Sequence, residues 1–143
     1  MKKMKIKGVP MNYDERGRGP AVVLLHGFEE CDDLWQEESR SLEKAGFRVI
    51  RLDLRPNLAG AATLAGTLSE QVIALLNQLG VGRAVFIGWS KGGQVLQDLA
   101  KRFPRRVAKS IDLTVNRYSR RDEPGGRLVD VLQGLRLGTL PMA

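Results

Sequence analysis

Two residues bear on covalent chemistry by their type and setting: the only histidine, His26, and a serine held between glycines in Gly88-Trp89-Ser90-Lys91-Gly92-Gly93. The apolar run Ala84-Val85-Phe86-Ile87 before the serine has the character of a buried strand. The apolar spacing in Gln94-Val95-Leu96-Gln97-Asp98-Leu99-Ala100 after it is that of a helix. Gly-x-Ser-x-Gly at such a junction is a nucleophile elbow, a turn so tight that side chains beside the serine would collide, and Gly88 and Gly92 remove them. The turn lifts the Ser90 hydroxyl clear of the sheet. The helix that starts there directs unpaired N–H groups and partial positive charge at a developing oxyanion. Attack on a carbonyl is the chemistry this arrangement serves. The pentapeptide alone is common by chance, and its strand and helix flanks are what make it specific. The competing reading is a structural turn, but glycine would serve there equally well, and a serine exposed on a sharp elbow has little packing reason to be present.

A serine nucleophile normally needs a histidine base, and only His26 can supply one from within this chain. Cys31 is the only cysteine, which excludes an internal disulfide or a cysteine-based zinc site and reads as an idle or buried thiol. Asp32 and Asp33 have no further ligand at suitable spacing, so neither a metal nor a cofactor is expected. Trp35 and Trp89 read as core or pocket wall.

The elements that must position these residues follow from the rest of the 143-residue chain, in length one domain with 43% hydrophobic and 27% charged residues. Met1-Lys2-Lys3-Met4-Lys5 is followed by no apolar run and no segment is long enough to span a bilayer, so a cytoplasmic setting without membrane contact is expected. The net charge is +7, densest from Lys101 to Arg121, where eight basic residues accompany only Asp112. With few interleaved aromatics and no reader motif, this cluster reads as solvated surface rather than a nucleic-acid interface.

Residues 4–14 alternate weakly and lead into a turn-rich stretch, predicting two short edge strands. Ala21-Val22-Val23-Leu24-Leu25 predicts a central strand covered on both faces. A helix over 34–45 follows, with Leu34, Trp35, Leu42 and Ala45 on its buried side and Gly46 as its stop. Phe47 to Asp53 predicts the next strand, and Arg51 within it suggests a place near an edge or a guanidinium reaching solvent. After a loop from Leu54 to Gly66, Leu68, Val72, Ile73, Leu75, Leu76 and Leu79 repeat at helical spacing until Gly80. Phe103-Pro104 ends the helix after the elbow, and Val107 to Val115 predicts another strand, with Ile111, Leu113 and Val115 on one side. Strand and helix alternate three times, which implies parallel strands, right-handed crossovers and an α/β three-layer sandwich with a mostly parallel, doubly wound sheet. The organisation expected is a core over 1–115 and, over 116–143, a charged loop with a short amphipathic helix carrying Leu128, Val131, Leu132 and Leu135.

The chain resembles the α/β-hydrolase family over nearly its whole length. The resemblance rests on Leu24-Leu25-His26-Gly27-Phe28, Asp53-Leu54-Arg55 and Gly88-Trp89-Ser90-Lys91-Gly92-Gly93. The tail from Asp122-Glu123-Pro124 to Gly134-Leu135-Arg136 resembles the entry to the cap in the branch that holds cofactor-free haloperoxidases, perhydrolases and aryl esterases. The resemblance implies Ser90 as nucleophile and the backbone N–H groups of Phe28 and Lys91 as the oxyanion hole, with Trp89 at the pocket. It also implies about twice this length, the family's acid and histidine following strands that would come after residue 143. The chain therefore reads as a truncated α/β-hydrolase fold with an incomplete triad.

The family's strand order would set the strands ending at Asp53, His26 and Ser90 side by side at a crevice. Two roles for His26 stay open: base of an improvised Ser90–His26–Asp53 relay, or a buried residue holding the oxyanion loop, as the matching residue does in relatives. The expected function is hydrolysis of a small carboxylic ester through Ser90, at weak or no activity; the alternative is a catalytically silent scaffold or binding module. The strand at 107–115 is expected to be left as an open edge, partly guarded by Lys109, Ser110 and Asp112, and the 128–135 helix to lack its partner. Either surface could bring copies together as a homo-oligomer.

Overall fold

The computed structural model describes residues 2–6, 8–26, 32–54, 65–88 and 91–112, with the backbone alone at His26, 32–35 and 65–67. Six strands and three helices are present among them: β1 (Lys2–Ile6), β2 (Val9–Arg16), β3 (Ala21–His26), α1 (Asp32–Lys44), β4 (Arg48–Asp53), α2 (Ala65–Gln78), β5 (Ala84–Gly88), α3 (Lys91–Arg102) and β6 (Val107–Asp112). They form one sheet in the order β1-β2-β4-β3-β5-β6. β4, β3, β5 and β6 run parallel, while β2 is antiparallel to both β1 and β4. The mostly parallel α/β sheet expected from the strand–helix alternation is therefore the observed one.

Side-chain alternation along the strands divides the core. Val23, Leu25, Ile50, Leu52 and Phe86 join Leu68, Val72 and Leu75 of α2 and Val95, Leu96 and Leu99 of α3 in one buried cluster. Val22, Leu24, Val49, Val85 and Ile87 are as deeply buried but point the other way. On that second face α1 packs against β4 and β2 with Leu42 fully buried. Both helix stops read from the sequence are present: Gly46 and Gly80 have φ of 97° and 75°, where a residue with a Cβ would be strained. Each lets the following N–H reach back, Phe47 to the Leu42 carbonyl at 3.1 Å and Val81 to the Leu76 carbonyl at 2.8 Å. α2 and α3 are joined by the Arg102 guanidinium, which bonds Glu70 and lies 3.5 Å from Asp98. The hydrogen bond to Glu70 pushes the Arg102 pKa above its ordinary value. No helix among the described residues is long and apolar enough to cross a membrane.

Two expectations are corrected. β1 is an edge strand, but β2 lies inside the sheet between β1 and β4. The Arg51 strand is not near an edge either, nor does its guanidinium reach solvent: β4 is third of six and Arg51 is 7% exposed. The two corrections have one cause. β2 brings acids to the basic positions of β4, with Asp14 in register with Arg51 and Glu15 with Ile50. Arg48 donates through Nε to Glu15 at 2.8 Å and through Nη2 to the Leu79 carbonyl at 2.6 Å, tying β2, β4 and the end of α2. Arg51 is served less well. Its Nη2 stands 3.9 Å from Asp14, and its buried Nε and Nη1 have no hydrogen-bond partner among the described residues. Of the strand expected over 107–115, β6 accounts for Val107–Asp112; Leu113 and Val115, and the helix expected at 128–135, lie outside the described residues.

A buried cation with two donors unmet among the described residues contributes little to stability, whereas removing the counter-charge beside it leaves it less compensated. Arg51→Leu is therefore expected to leave stability within about 1 kcal/mol of the parent or to raise it. Asp14→Asn should cost about 1–3 kcal/mol, less than a fully buried pair because Asp14 is 26% exposed. Urea denaturation of both variants checks this, and a larger loss from Arg51→Leu than from Asp14→Asn would contradict it.

Candidate active site

The junction of β5 and α3 is built on backbone contact. All five residues of β5 are buried, and α3 begins at Lys91, three residues after the strand ends. A Cβ on Gly88 would stand 2.6 Å from the carbonyl oxygen of Gly92. A Cβ on Gly92 would overlap the carbonyl oxygen of Leu25 and lie 2.9 Å from its carbon. The first turn of α3 thus rests directly on the main chain of β3 and β5, at distances that only glycine permits. Lys91 is the first helical residue, so its N–H is among the four that an α-helix leaves without an internal partner. The same turn carries the helix's partial positive charge.

Strand register gathers the other sequence-derived residues at the same end of the sheet. His26 ends β3 and is paired with Asp53, which ends β4; on the other side of β3, Leu25 is paired with Gly88. The strands ending at Asp53, His26 and the elbow are therefore neighbours in that order, about 4.8 Å apart. β3→β4 and β4→β5 step to opposite sides of β3, the reversal of strand order beside which open α/β sheets bind ligands at the carboxyl ends of their strands. Asp53 is buried, at 6% exposure, and does not stand without a partner. Ser90, Trp89, Phe28 and the His26 side chain lie outside the described residues, as do the side chains of Asp32 and Asp33, Leu34 and Trp35. The register brings the backbones of His26 and Asp53 together beside the strand that leads to Ser90, and the chemistry of the relay rests on groups beyond that description.

One residue at this end of the sheet was assigned a different role by the sequence. Asp112 ends β6 in register with Gly88, and its carboxylate fills the space beside Gly93, where a Cβ would lie 2.7 Å from Oδ1 and 3.0 Å from Oδ2. The Gln97 side-chain amide donates to Asp112 Oδ2 at 3.4 Å. Asp112 is half-buried against α3 rather than standing guard on the outer edge, whereas Lys109 and Ser110 are exposed there. A carboxylate between the apolar Ile111 and Leu113, together with a second glycine after the Gly-x-Ser-x-Gly motif, was the available signal.

With this geometry in place, comparison with known proteins is direct. Residues 20–114 match the family model of the alpha/beta hydrolase fold. Over 106 residues the chain is 36% identical to the bifunctional epoxide hydrolase 2 of Sus scrofa, covering 70% of this chain and 19% of that protein. Over 101 residues it is 36% identical to the pimeloyl-[acyl-carrier protein] methyl ester esterase of Vibrio parahaemolyticus, covering 71% of this chain and 39% of that one. The epoxide hydrolase VrEH1 from Vigna radiata superposes with a TM-score of 0.70 at 27% identity, over 94% of this chain and 43% of that structure. The chain thus spans between one fifth and two fifths of the length of these curated relatives. The matched region runs from the residue before β3 to just past β6 and so contains the three adjacent strand ends and the glycine-built elbow: the chain belongs to the α/β-hydrolase fold family.

Proposed function

We propose that this chain is a hydrolase of small carboxylic esters that works through Ser90. The observation that carries the reading is the glycine contact of Gly88 and Gly92 at the β5–α3 junction, a close approach that a mere surface turn does not require. In this reading the Ser90 hydroxyl attacks the ester carbonyl, the alcohol leaves, and water releases the acyl group from the serine. The N–H groups of Phe28 and Lys91 hold the oxyanion, and Trp89 forms pocket wall.

Relatives named as epoxide hydrolases make epoxide opening the obvious competitor. The nucleophile's identity argues against it. A serine oxygen that opened an epoxide would form an ether, and water does not release an ether as it releases an acyl ester. Carbonyl substrates are the ones that let Ser90 turn over.

His26 holds the oxyanion loop rather than serving as base, so Ser90 reacts as a neutral alcohol aided by the hole and the pocket. Enzymes with a triad member removed keep roughly 10³–10⁴ over water from those features alone. Activity of that order, confined to activated esters such as nitrophenyl acetate, is expected. Ser90→Ala should reduce it to background, and His26→Ala should change it by less than about tenfold if the fold survives. Brisk turnover of unactivated esters that His26→Ala abolishes, with the fold intact, would establish the relay instead.

The contact beneath the site has its own test. Gly92→Ala must push the first turn of α3 off the Leu25 carbonyl and should cost about 3 kcal/mol in urea denaturation. Gly82→Ala, which meets open space, should stay within about 0.5 kcal/mol. Equal effects would show that the first turn of α3 is not held by this contact.

A further inference from the structure

Three glycines fix the first turn of α3, and their neighbours differ in kind. Gly88 and Gly92 meet backbone, which any such junction needs, but Gly93 meets the end of a charged side chain, Asp112. Gly93 is the third residue of the helix whose first N–H belongs to Lys91. Less than one turn of helix therefore separates Gly93, and the carboxylate beside it, from the Lys91 N–H. Among the described residues, Lys91 and Asp98 are the ionisable groups of the first two turns of α3, the Gln97 amide donates to Asp112, and Lys109 lies three residues earlier on β6 and is exposed. Gly93 leaves the room that this carboxylate fills, so the pair acts as a unit: a Cβ at Gly93 or a shorter side chain at 112 changes where the charge sits.

We propose that Asp112 is a positioning residue that sets the electrostatics of the elbow. Its carboxylate latches the end of β6 onto the first turn of α3. It also holds a negative charge beside the helix N-terminus, which competes with a developing oxyanion for the same positive end. The chain thereby gains order at the junction and loses part of the elbow's electrophilic assistance. This deepens the reading of Ser90 as nucleophile and rests on it for its kinetic half.

Two measurements on the full chain test it. The first is the second-order rate of Ser90 modification by a fluorophosphonate in the parent and in Asp112→Asn, which keeps shape and removes charge. Asp112→Asn should react about three- to tenfold faster at low ionic strength. The ratio should fall toward one in about 0.5 M salt, where the charge is screened. A merely structural role does not give this salt dependence. A ratio of one at all salt concentrations would overturn the charge effect.

The second is a double-mutant cycle in urea, which does not need Ser90 to react. Gly93→Ala should lower the denaturation midpoint in the parent, where the new Cβ displaces the carboxylate, and much less in Asp112→Ala, where the space is free. Additive effects would overturn the latch. Failure of all variants to label, with coupling present in the cycle, would count against Ser90 as nucleophile and against the kinetic half, and leave the latch standing.

Discussion

The direct seating of one helix on the main chain of two strands is the constraint on which the rest of the structure depends. α3 approaches β3 and β5 so closely that Gly92 stands against the Leu25 carbonyl and Gly88 against that of Gly92. The nearest atoms there are main-chain carbonyls, so the approach of the helix N-terminus to β3 is limited by backbone geometry. β3 can serve as the platform because it lies between β4 and β5, with Ala21 to Leu25 fully buried. The other elements secure that platform: α2 and α3 cover one face, α1 packs on the other, and β2 with β1 extends the sheet beyond β4. The elbow and the charge at the helix end both follow from where that first turn is held.

Much of this was legible because the relevant signals are local. The apolar run of β3, the helical spacing in α2 and the glycines at 46 and 80 are each readable within a dozen residues, and the structure places the elements within a few residues of those readings. The Gly-x-Ser-x-Gly motif was legible for the same reason. Gly88 and Gly92 report a steric requirement whose partners, Leu25 and Gly92 itself, the register then supplies.

What was not legible depends on partners distant in sequence. Asp14, Glu15 and Arg16 make the end of β2 look like an exposed strand. The two acids are there because β4 brings Arg48 and Arg51 alongside, 33 and 37 residues later. Arg51 reads as a surface residue for the complementary reason. Asp112 reads as an edge guard until α3 is laid over it, since nothing near it in sequence says that Gly93 will leave it a space. In each case a charged side chain was assigned to solvent, and a contact across the sheet assigned it elsewhere. The site is legible to the same degree: the strand ends and the elbow can be read, while the aim of the His26 ring depends on tertiary contacts that no local pattern encodes.

The central claim is that the β5–α3 junction presents a reactive serine at a helix N-terminus, and a covalent label addresses it without any assumption about substrate. Intact-mass measurement after exposure to a fluorophosphonate, with the modified peptide then mapped, gives the answer directly. The account predicts one adduct per chain, on Ser90, absent in Ser90→Ala. A folded chain that takes up no label across the neutral and alkaline range, or takes it up elsewhere, would contradict it and leave a hydrolase fold serving as a scaffold.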